Sequence, residues 1–234
     1  MDTNLISTQY DDKLNGINAR KWLPWVGRDY PARPADKRVL IVGESHYGDG
    51  ADNRKNAEAD SNHTRDIFAE IFISKFKTRT FRTIPRVLFN ANTLNRENFG
   101  LNICYCNIVQ KLMAGHKDTG NVQRRPSGDD FKTGWKVLGE IVKVLKPRYC
   151  LFIGVSASYT FNPEIFVPAD GKTGIEKRQS IERACPRRAK VLVDNAPVDL
   201  IFLKHFCRVR SGAKWHDYLQ VEHPGLLAAL ADCY

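Results

Sequence analysis

VLIVGESHYGDG, residues 39–50, reads as a strand buried on both faces that runs directly into reactive side chains. Val39, Leu40, Ile41 and Val42 form an apolar, β-branched-rich run, the pattern of a strand covered on two sides rather than one. The run stops at Gly43, and Glu44, Ser45, His46 and Tyr47 follow without a gap. In open α/β sheets ligands bind just outside the carboxyl ends of parallel strands, so this is the first place to look for a site. Glycine followed by polar residues is also what an ordinary connecting loop looks like. The reading therefore depends on what the rest of the chain brings to the same edge.

Comparable runs recur along the chain. The spacing predicts a second strand within LNICYCNIVQ, ending near Asn107, and a third over Tyr149–Gly154. AKVLVDNAPVDLIFLKH supplies one or two more, the last ending before His205. Helical periodicity lies between them. Ile67, Phe68, Ile71, Phe72 and Phe76 recur at helical steps, and RTFRTIPRVLFNAN predicts a second helix with Pro85 near its start. Residues 114–125 carry loop signals. Ser127 to Asp130 resembles a capping box in its acidic form, opening a helix with Phe131, Trp135, Leu138, Val142 and Leu145 on one face and Pro147 as its stop. WHDYLQV and HPGLLAALADCY predict closing helices, with Pro224 in a first turn. Strands separated by helices predict an α/β fold, a parallel sheet with helices on both faces. With no internal repeat or linker, residues 1–234 read as a single domain. Residues 1–37, carrying Trp22, Trp25 and Tyr30, read as an N-terminal flap, and 216–234 as the closing helices.

Lys and Arg number 36 against 26 Asp and Glu, a net charge of +10 that favours polyanionic partners. A hydrophobic fraction of 42% with 12 Phe, 8 Tyr and 4 Trp marks a chain that folds around a core. No apolar run approaches the roughly 18 residues of a membrane span, and MDTNLISTQYDDK lacks a charged-then-apolar leader pattern. A soluble, cytoplasmic protein without membrane association is expected. Cys104, Cys106, Cys150 and Cys207 lie in or beside apolar runs and read as small buried hydrophobes. There is no CxxC pair, and neither a metal nor another cofactor is expected.

Each predicted strand ends in chemistry: Glu44, Ser45, His46 and Tyr47 after the first, Asn107 after the second, His205 and FCRVRSG after the last. In a parallel sheet these ends share one edge. A Glu or His can hold or deprotonate a water. An Asn amide carries the donor and acceptor needed to read one edge of a nucleobase. A second His can stabilise a departing anion. The chain has no GxxxxGKS/T phosphate loop, no GxGxxG and no GxSxG elbow, and no HExxH supports a metal hydrolase.

The ordered set GESHYG, NICYCNIVQKL, KVLKPRYCLFIGVSA and LKHFCRVRSG resembles the uracil-DNA glycosylase superfamily over about Arg38 to Trp215. Family members carry GQDPYH or GEAPG at the first place, a strand ending in Asn at the second, a segment like LLRPRVIVALGRFA at the third and an HPSP loop at the fourth. The resemblance implies a three-layer α/β/α sandwich around a central, mainly parallel four-stranded sheet. It implies hydrolysis of the N-glycosidic bond of a flipped-out uracil or other deaminated or modified base in DNA, single- or double-stranded. On that resemblance Asn107 reads the base edge, His205 stabilises the departing base, and Glu44 or His46 positions water. Gly43 and Ser45 line the base pocket, and Tyr47 walls off the pyrimidine 5-position.

Ser45 falls where the GQDPYH branch has a water-orienting Asp, and Phe206-Cys207 replaces Pro-Ser of the HPSP loop. The wedge position falls near Val209 or Arg210. Arg208, Arg210 and Lys214 are the nearest candidates for phosphate contacts, followed by Lys75, Lys77, Arg79, Arg82, Arg124 and Arg125. No aromatic lies between Tyr47 and Phe68, which leaves the base-stacking ring unassigned. The cysteines of the iron–sulfur branch are missing from their places, so no cluster is expected. A catalytically silent DNA-binding module, a glycosylase for an unusual base such as those of phage DNA, and a hydrolase of small nucleosides remain open. The basic balance disfavours the last.

Overall fold

A computed structural model describes residues 3–48, 50–75, 78–115, 125–169, 171 and 174–234. Ten strands occur among them: β1 (Trp25–Val26), β2 (Val39–Gly43), β3 (His46–Gly48), β4 (Cys104–Asn107), β5 (Leu112–Ala114), β6 (Tyr149–Ile153), β7 (Val167–Pro168), β8 (Glu176–Lys177), β9 (Arg187–Val193) and β10 (Ala196–Leu203). The α-helices are α1 (Asp11–Asn15), α2 (Ala51–Ala59), α3 (His63–Ile67), α4 (Arg79–Leu88), α5 (Arg96–Asn102), α6 (Gly128–Leu145), α7 (Gly212–Glu222) and α8 (Pro224–Leu230). The result is an α/β protein whose mixed sheet has a parallel core, β4-β2-β6-β10, flanked by helices.

Side-chain alternation divides that parallel core between two hydrophobic clusters. Leu40, Val42, Cys104, Cys106, Cys150, Phe152, Leu200 and Phe202 pack with Trp135, Leu138, Ile141 and Leu145 of α6. Their sequence neighbours Val39, Ile41, Tyr105, Leu151, Ile153, Ile201 and Leu203 pack with Phe81 and Ile84 of α4, Trp215 and Leu219 of α7, and Leu226 of α8. Period-two geometry sends successive residues to opposite faces, so apolar side chains at every position require cover on both. That is why VLIVG reads as an unbroken apolar run.

The sheet is wider than the four strands expected. β1 adds antiparallel to β4, β9 adds antiparallel to β10, and β7 and β8 pair with β9, giving eight strands. The β9–β10 hairpin closes through Asp194 and Asn195, with φ of 49° and 62°. Both residues are types that tolerate the left-handed region a tight two-residue turn requires. Residues 3–37 are part of the body rather than a flap. β1 sits in the sheet, Trp22, Trp25 and Tyr30 are fully buried, and the Trp25 indole donates to the Gly100 carbonyl at 2.8 Å.

Three local expectations change. Helical structure from His63 is α3 followed by a π-helical turn, Phe68–Ser74; Phe76 and Lys77 lie outside the described residues. Pro85 stands inside α4 rather than near its start. The Asp-, Asn- and Gly-rich segment from Gly43 to about His63 reads in sequence as one long loop, but it carries β3, which pairs in parallel with β5 as a separate two-stranded sheet, and the helix α2. Of the loop expected over 114–125, residues 116–124 lie outside the described residues, while three helix signals hold as read. Ser127 and Asp130 form a reciprocal capping box on α6, Lys146 ends that helix at φ 51° before Pro147, and Pro224 opens α8.

Gly134 of α6 faces the chain just beyond Asn107. A Cβ there would lie 2.3 Å from the Ile108 carbonyl oxygen. In an exposed helix Gly→Ala stabilises by about 1 kcal/mol. Here overpacking against backbone opposes that gain, and Gly134→Ala is expected to destabilise the fold by about 1–3 kcal/mol in urea unfolding.

Candidate active site

β2 and β4 run parallel with Gly43 opposite Asn107, while β6 and β10 bring Ile153 opposite Leu203. The carboxyl ends of all four core strands therefore share one edge, where a cavity of about 800 Å³ opens. Gly43, Glu44, Ser45, His46, Tyr47, Asn107, His205 and Arg208 all line it, although they come from distant parts of the chain. Gly154, just after β6, also lines it. Gly154 has φ +141°, where a side chain is strained, and a Cβ would lie 3.7 Å from Glu44 Oε2 and 3.9 Å from His205 Cδ2. The carboxylate and the imidazole thus flank the same glycine.

His205 caps the short 3₁₀ turn Phe206–Arg208, its Nδ1 accepting the Cys207 N–H at 3.3 Å. An accepting Nδ1 places the proton of the neutral ring on Nε2. Burial lowers the pKa of His205; Glu44 opposes the shift, and the Arg208 and Arg125 guanidinium groups add to it. The ring is therefore a neutral N–H donor at neutral pH.

His46 does not fit the role of water base. It is 8% exposed, its Nε2 lies 3.0 Å from Thr64 Oγ1, and its ring packs edge-on to Trp22 and His63 at centroid distances of 5.2 and 5.0 Å. Burial, with His63 adding to it, pushes its pKa down to about 3. Such a ring stays neutral and is a poor proton acceptor at neutral pH. Glu44, half-buried on the cavity wall, is the better placed of the two.

Asn107 is 2% exposed, and its Oδ1 accepts from the Tyr105 hydroxyl at 3.0 Å. Its Nδ2 has no hydrogen-bond partner among the described residues, and neither has the buried Ser45 Oγ. Tyr105 was legible in principle, because residues two apart on a strand share a face. Gly43 makes room for the pair, since a Cβ there would lie 2.1 Å from Asn107 Oδ1 and 2.5 Å from Tyr105 Oη.

The basic candidates separate. Arg208 and Arg125 line the cavity, joined by Arg183 and Lys204, which the strand-end reading missed. Val209 cannot be an exposed wedge: it is 5% exposed and packed in the cluster beneath α4 and α7. Arg210 and Lys214 are exposed but do not line the cavity. Lys75 pairs with Glu70, Arg79 reaches the Val209 carbonyl at 3.5 Å, and Arg82 is exposed away from the cavity; Arg124 lies outside the described residues. All six cysteines are free, and no group of three metal-ligating side chains occurs among the described residues. No helix among them is long and apolar enough to cross a membrane.

Glu182 joins the two segments around the mouth. Its carboxylate accepts from the backbone N–H of Ser211 at 2.6 Å and of Arg210 at 3.1 Å, and from the Trp215 indole at 3.2 Å. Lys204 lies 3.6 Å away and donates to the Glu182 carbonyl at 2.8 Å. Glu182 and Arg183 hold φ of 50° and 64°, a turn that carries Arg183 to the cavity. No local sequence signal marks this long-range cap.

Burial raises the Glu182 pKa, but the bonds from Arg210, Ser211 and Trp215, with Lys204, outweigh it and leave the carboxyl below its usual range. A depressed folded-state pKa contributes stability above the unfolded pKa, and that contribution is lost as pH falls through the folded value. Glu182→Gln is therefore expected to cost stability at pH 7 and progressively less toward pH 3, read from thermal melts across that range. Glu182→Ala should cost about 2–3 kcal/mol at pH 7.

No protein-family model matches this chain, and no curated protein matches it in sequence.

Proposed function

We propose that this protein is a DNA glycosylase of uracil-DNA glycosylase-like, three-layer fold that hydrolyses the bond between deoxyribose and a flipped-out base. The observation that carries the reading is the convergence of Glu44, Asn107 and His205 in one cavity at the sheet edge. The ordered motifs and the division of the parallel core between two helix-backed clusters support it further.

A base inside a duplex must leave the stack before its glycosidic bond can be reached, at a cost of a few kcal/mol. Phosphate contacts by Arg208, Arg125 and Arg183 would offset that cost. In the cavity Asn107 holds the base edge and Tyr47 closes the neighbouring wall. As the C1′–N bond lengthens, its electron pair moves onto the base, and the His205 Nε2–H bonds the developing negative charge. A neutral donor suits this task, because it stabilises the anion without first surrendering a proton. Glu44 orients water toward the oxocarbenium-like C1′ and accepts a proton as the new C–O bond forms. The departing base takes its proton from solvent.

A second reading concerns which base is removed. A pyrimidine ring occupies about the space of four waters at about 30 Å³ each. The cavity, at about 800 Å³, also reaches Ile67, Ile71 and Phe81 on the side of α3 and α4. That volume, which must also admit the attached deoxyribose, leaves room for a base carrying a substituent beyond plain uracil.

Oligonucleotides carrying uracil, hypoxanthine, xanthine, or 5-substituted pyrimidines of increasing size, treated with alkali after incubation, test both readings. Strand scission at one of these bases is expected, lost in Asn107→Ala and His205→Ala while both variants stay folded. Scission that survives in both variants overturns the assignment. Binding without scission at any base leaves a silent DNA-binding module instead. Because burial lowers the His205 pKa, the rate should hold as pH falls through the usual imidazole range near 6.5 and drop only below it. Arg208→Gln should weaken binding evenly across sequences and reduce the slope of log K against log salt by about 1.

A further inference from the structure

We infer that Tyr159, an exposed ring backed by the buried guanidinium of Arg187, is a stacking platform outside the cavity for an unpaired nucleobase next to the one taken into it. The kind of partner rests on the glycosylase reading; the geometry of the pair does not.

Tyr159 lies in the 3₁₀ turn Ser156–Thr160, which follows β6, and Ser156 at the head of that turn lines the cavity. Side chains three apart in a 3₁₀ turn eclipse one another, separated by about 6 Å of rise. Tyr159 therefore stands on the same side of the turn as Ser156, one turn further out, and does not itself line the cavity. At 72% it is the most exposed aromatic side chain among the described residues. The turn beneath it is tied down. The Trp135 indole donates to the Ala157 carbonyl at 3.0 Å, Thr160 Oγ1 donates to the same carbonyl at 3.3 Å, and the Ser158 hydroxyl donates to the Val155 carbonyl at 2.5 Å. An aromatic ring on a braced turn loses little freedom when a flat partner meets it.

Arg187 decides which face of the ring is open. Its Cζ lies 3.9 Å from the ring centre, so the guanidinium covers one face and water keeps the other. Arg187 is 5% exposed and its Nη1 donates to the Ser158 hydroxyl, but its Nε has no hydrogen-bond partner among the described residues. Arg188, next along β9, takes Glu176 and Glu222, whereas no carboxylate among the described residues pairs with Arg187. A buried cation without a counter-charge is costly, and a desolvated cation–π contact offsets part of that cost. The contact also draws π-density toward the covered face, which leaves the outer face poorer in electrons and better matched to the face of a nucleobase. Arg187 pairs with Phe202 across β9 and β10, next to Leu203 and so at the cavity end of the sheet. Arg125, Arg183 and Arg208, which line the cavity, supply the positive charge that the phosphates of a strand require. A cationic groove with an aromatic platform is how single strands are held. The neighbours in the turn, Ser156, Ser158 and Thr160, are polar, so this is not the contiguous apolar patch that a protein partner would want.

Fluorescence anisotropy with three labelled single-stranded oligonucleotides tests the platform. The parent probe carries tetrahydrofuran, an uncleavable abasic residue, at its centre. The other two carry a second tetrahydrofuran in place of the 5′ or the 3′ neighbour, which deletes one base and keeps every phosphate. Wild-type protein is expected to bind one of these two about tenfold more weakly than the parent. Tyr159→Ala should bind the parent about tenfold more weakly and no longer distinguish that probe from it, while Tyr159→Phe should behave as wild type. A lost phosphate contact or a general loss of stability would weaken binding to all three probes alike, so the comparison isolates stacking. No binding of the parent, wild-type indifference to both deletions, a Tyr159→Ala protein that keeps the discrimination, or a Tyr159→Phe protein that loses it overturns the inference. Excision without the flanking-base effect defeats this inference alone, and the flanking-base effect without excision at any base defeats the glycosylase reading alone.

Discussion

The parallel register of β2 on β4 is the constraint on which the rest of the site depends. It sets Gly43 against Asn107, and the missing side chain at Gly43 allows the Asn107 amide and the Tyr105 hydroxyl to meet behind it. A shift of one residue would turn Asn107 to the other face of the sheet and place its polar amide among the apolar side chains facing α6. Register in turn is held by burial on both faces, because every residue of Val39–Gly43 has an assigned cluster or neighbour. The hydrophobic core and the polar site are therefore one device: the alternation that packs the sheet also aims the amide.

Electrostatics sharpen the division of roles. The cavity brings Glu44 together with several cationic groups at its mouth, and Lys204 among these is tied to Glu182. Burial, aided by Arg208 and Arg125 against the opposing Glu44, favours the neutral form of His205, and a neutral imidazole whose Nδ1 accepts the Cys207 N–H carries its proton on Nε2 as an uncharged donor. His46 has a related chemical form for a different reason. It opens β3 and is buried among Trp22, His63 and Thr64 as a packed wall. Two histidines that look alike in sequence thus part company through their surroundings, one capping a short turn beside Gly154 and the other packed between aromatic rings.

Much of the fold was legible because its signals are local. Apolar runs found the parallel core strands, Ser127 and Asp130 found the start of α6, and Pro147 and Pro224 found helix boundaries. The strand-end rule likewise found Glu44, Asn107 and His205 before any contact was known. What escaped is non-local. β1, a two-residue strand, gains its identity only from pairing with β4, so Trp22 and Trp25 looked like a flap. Glu182 is an exposed-looking acid in sequence, and its function as a cap appears only when Arg210 and Ser211 fold back onto it. Val209 sits in a basic loop, VRSG, whose polarity suggests solvent, yet the loop turns that one side chain into the core. Tyr105 was hidden by success of another kind: an aromatic in a buried strand is normally packing, and only its hydroxyl gives it a second role.

On the proposed reading, Ser45 is where the site keeps a small polar wall in place of a carboxylate. Its hydroxyl is buried at the cavity wall without a hydrogen-bond partner among the described residues. A carboxylate in that place would require desolvation and a counter-charge, and would stand beside Glu44 as a like-charged neighbour. With serine there, Glu44 remains as the carboxylate of that segment on the cavity wall, next to Gly154 and His205. On the proposed reading the water-holding role has therefore moved along the loop to Glu44, and the position it left retains a small polar wall. That exchange also leaves room: serine occupies less space than aspartate, in a cavity whose far side extends to Ile67, Ile71 and Phe81. Relocating the carboxylate and enlarging the pocket point the same way, toward a base held by its edge through Asn107 and free to carry bulk beyond the ring.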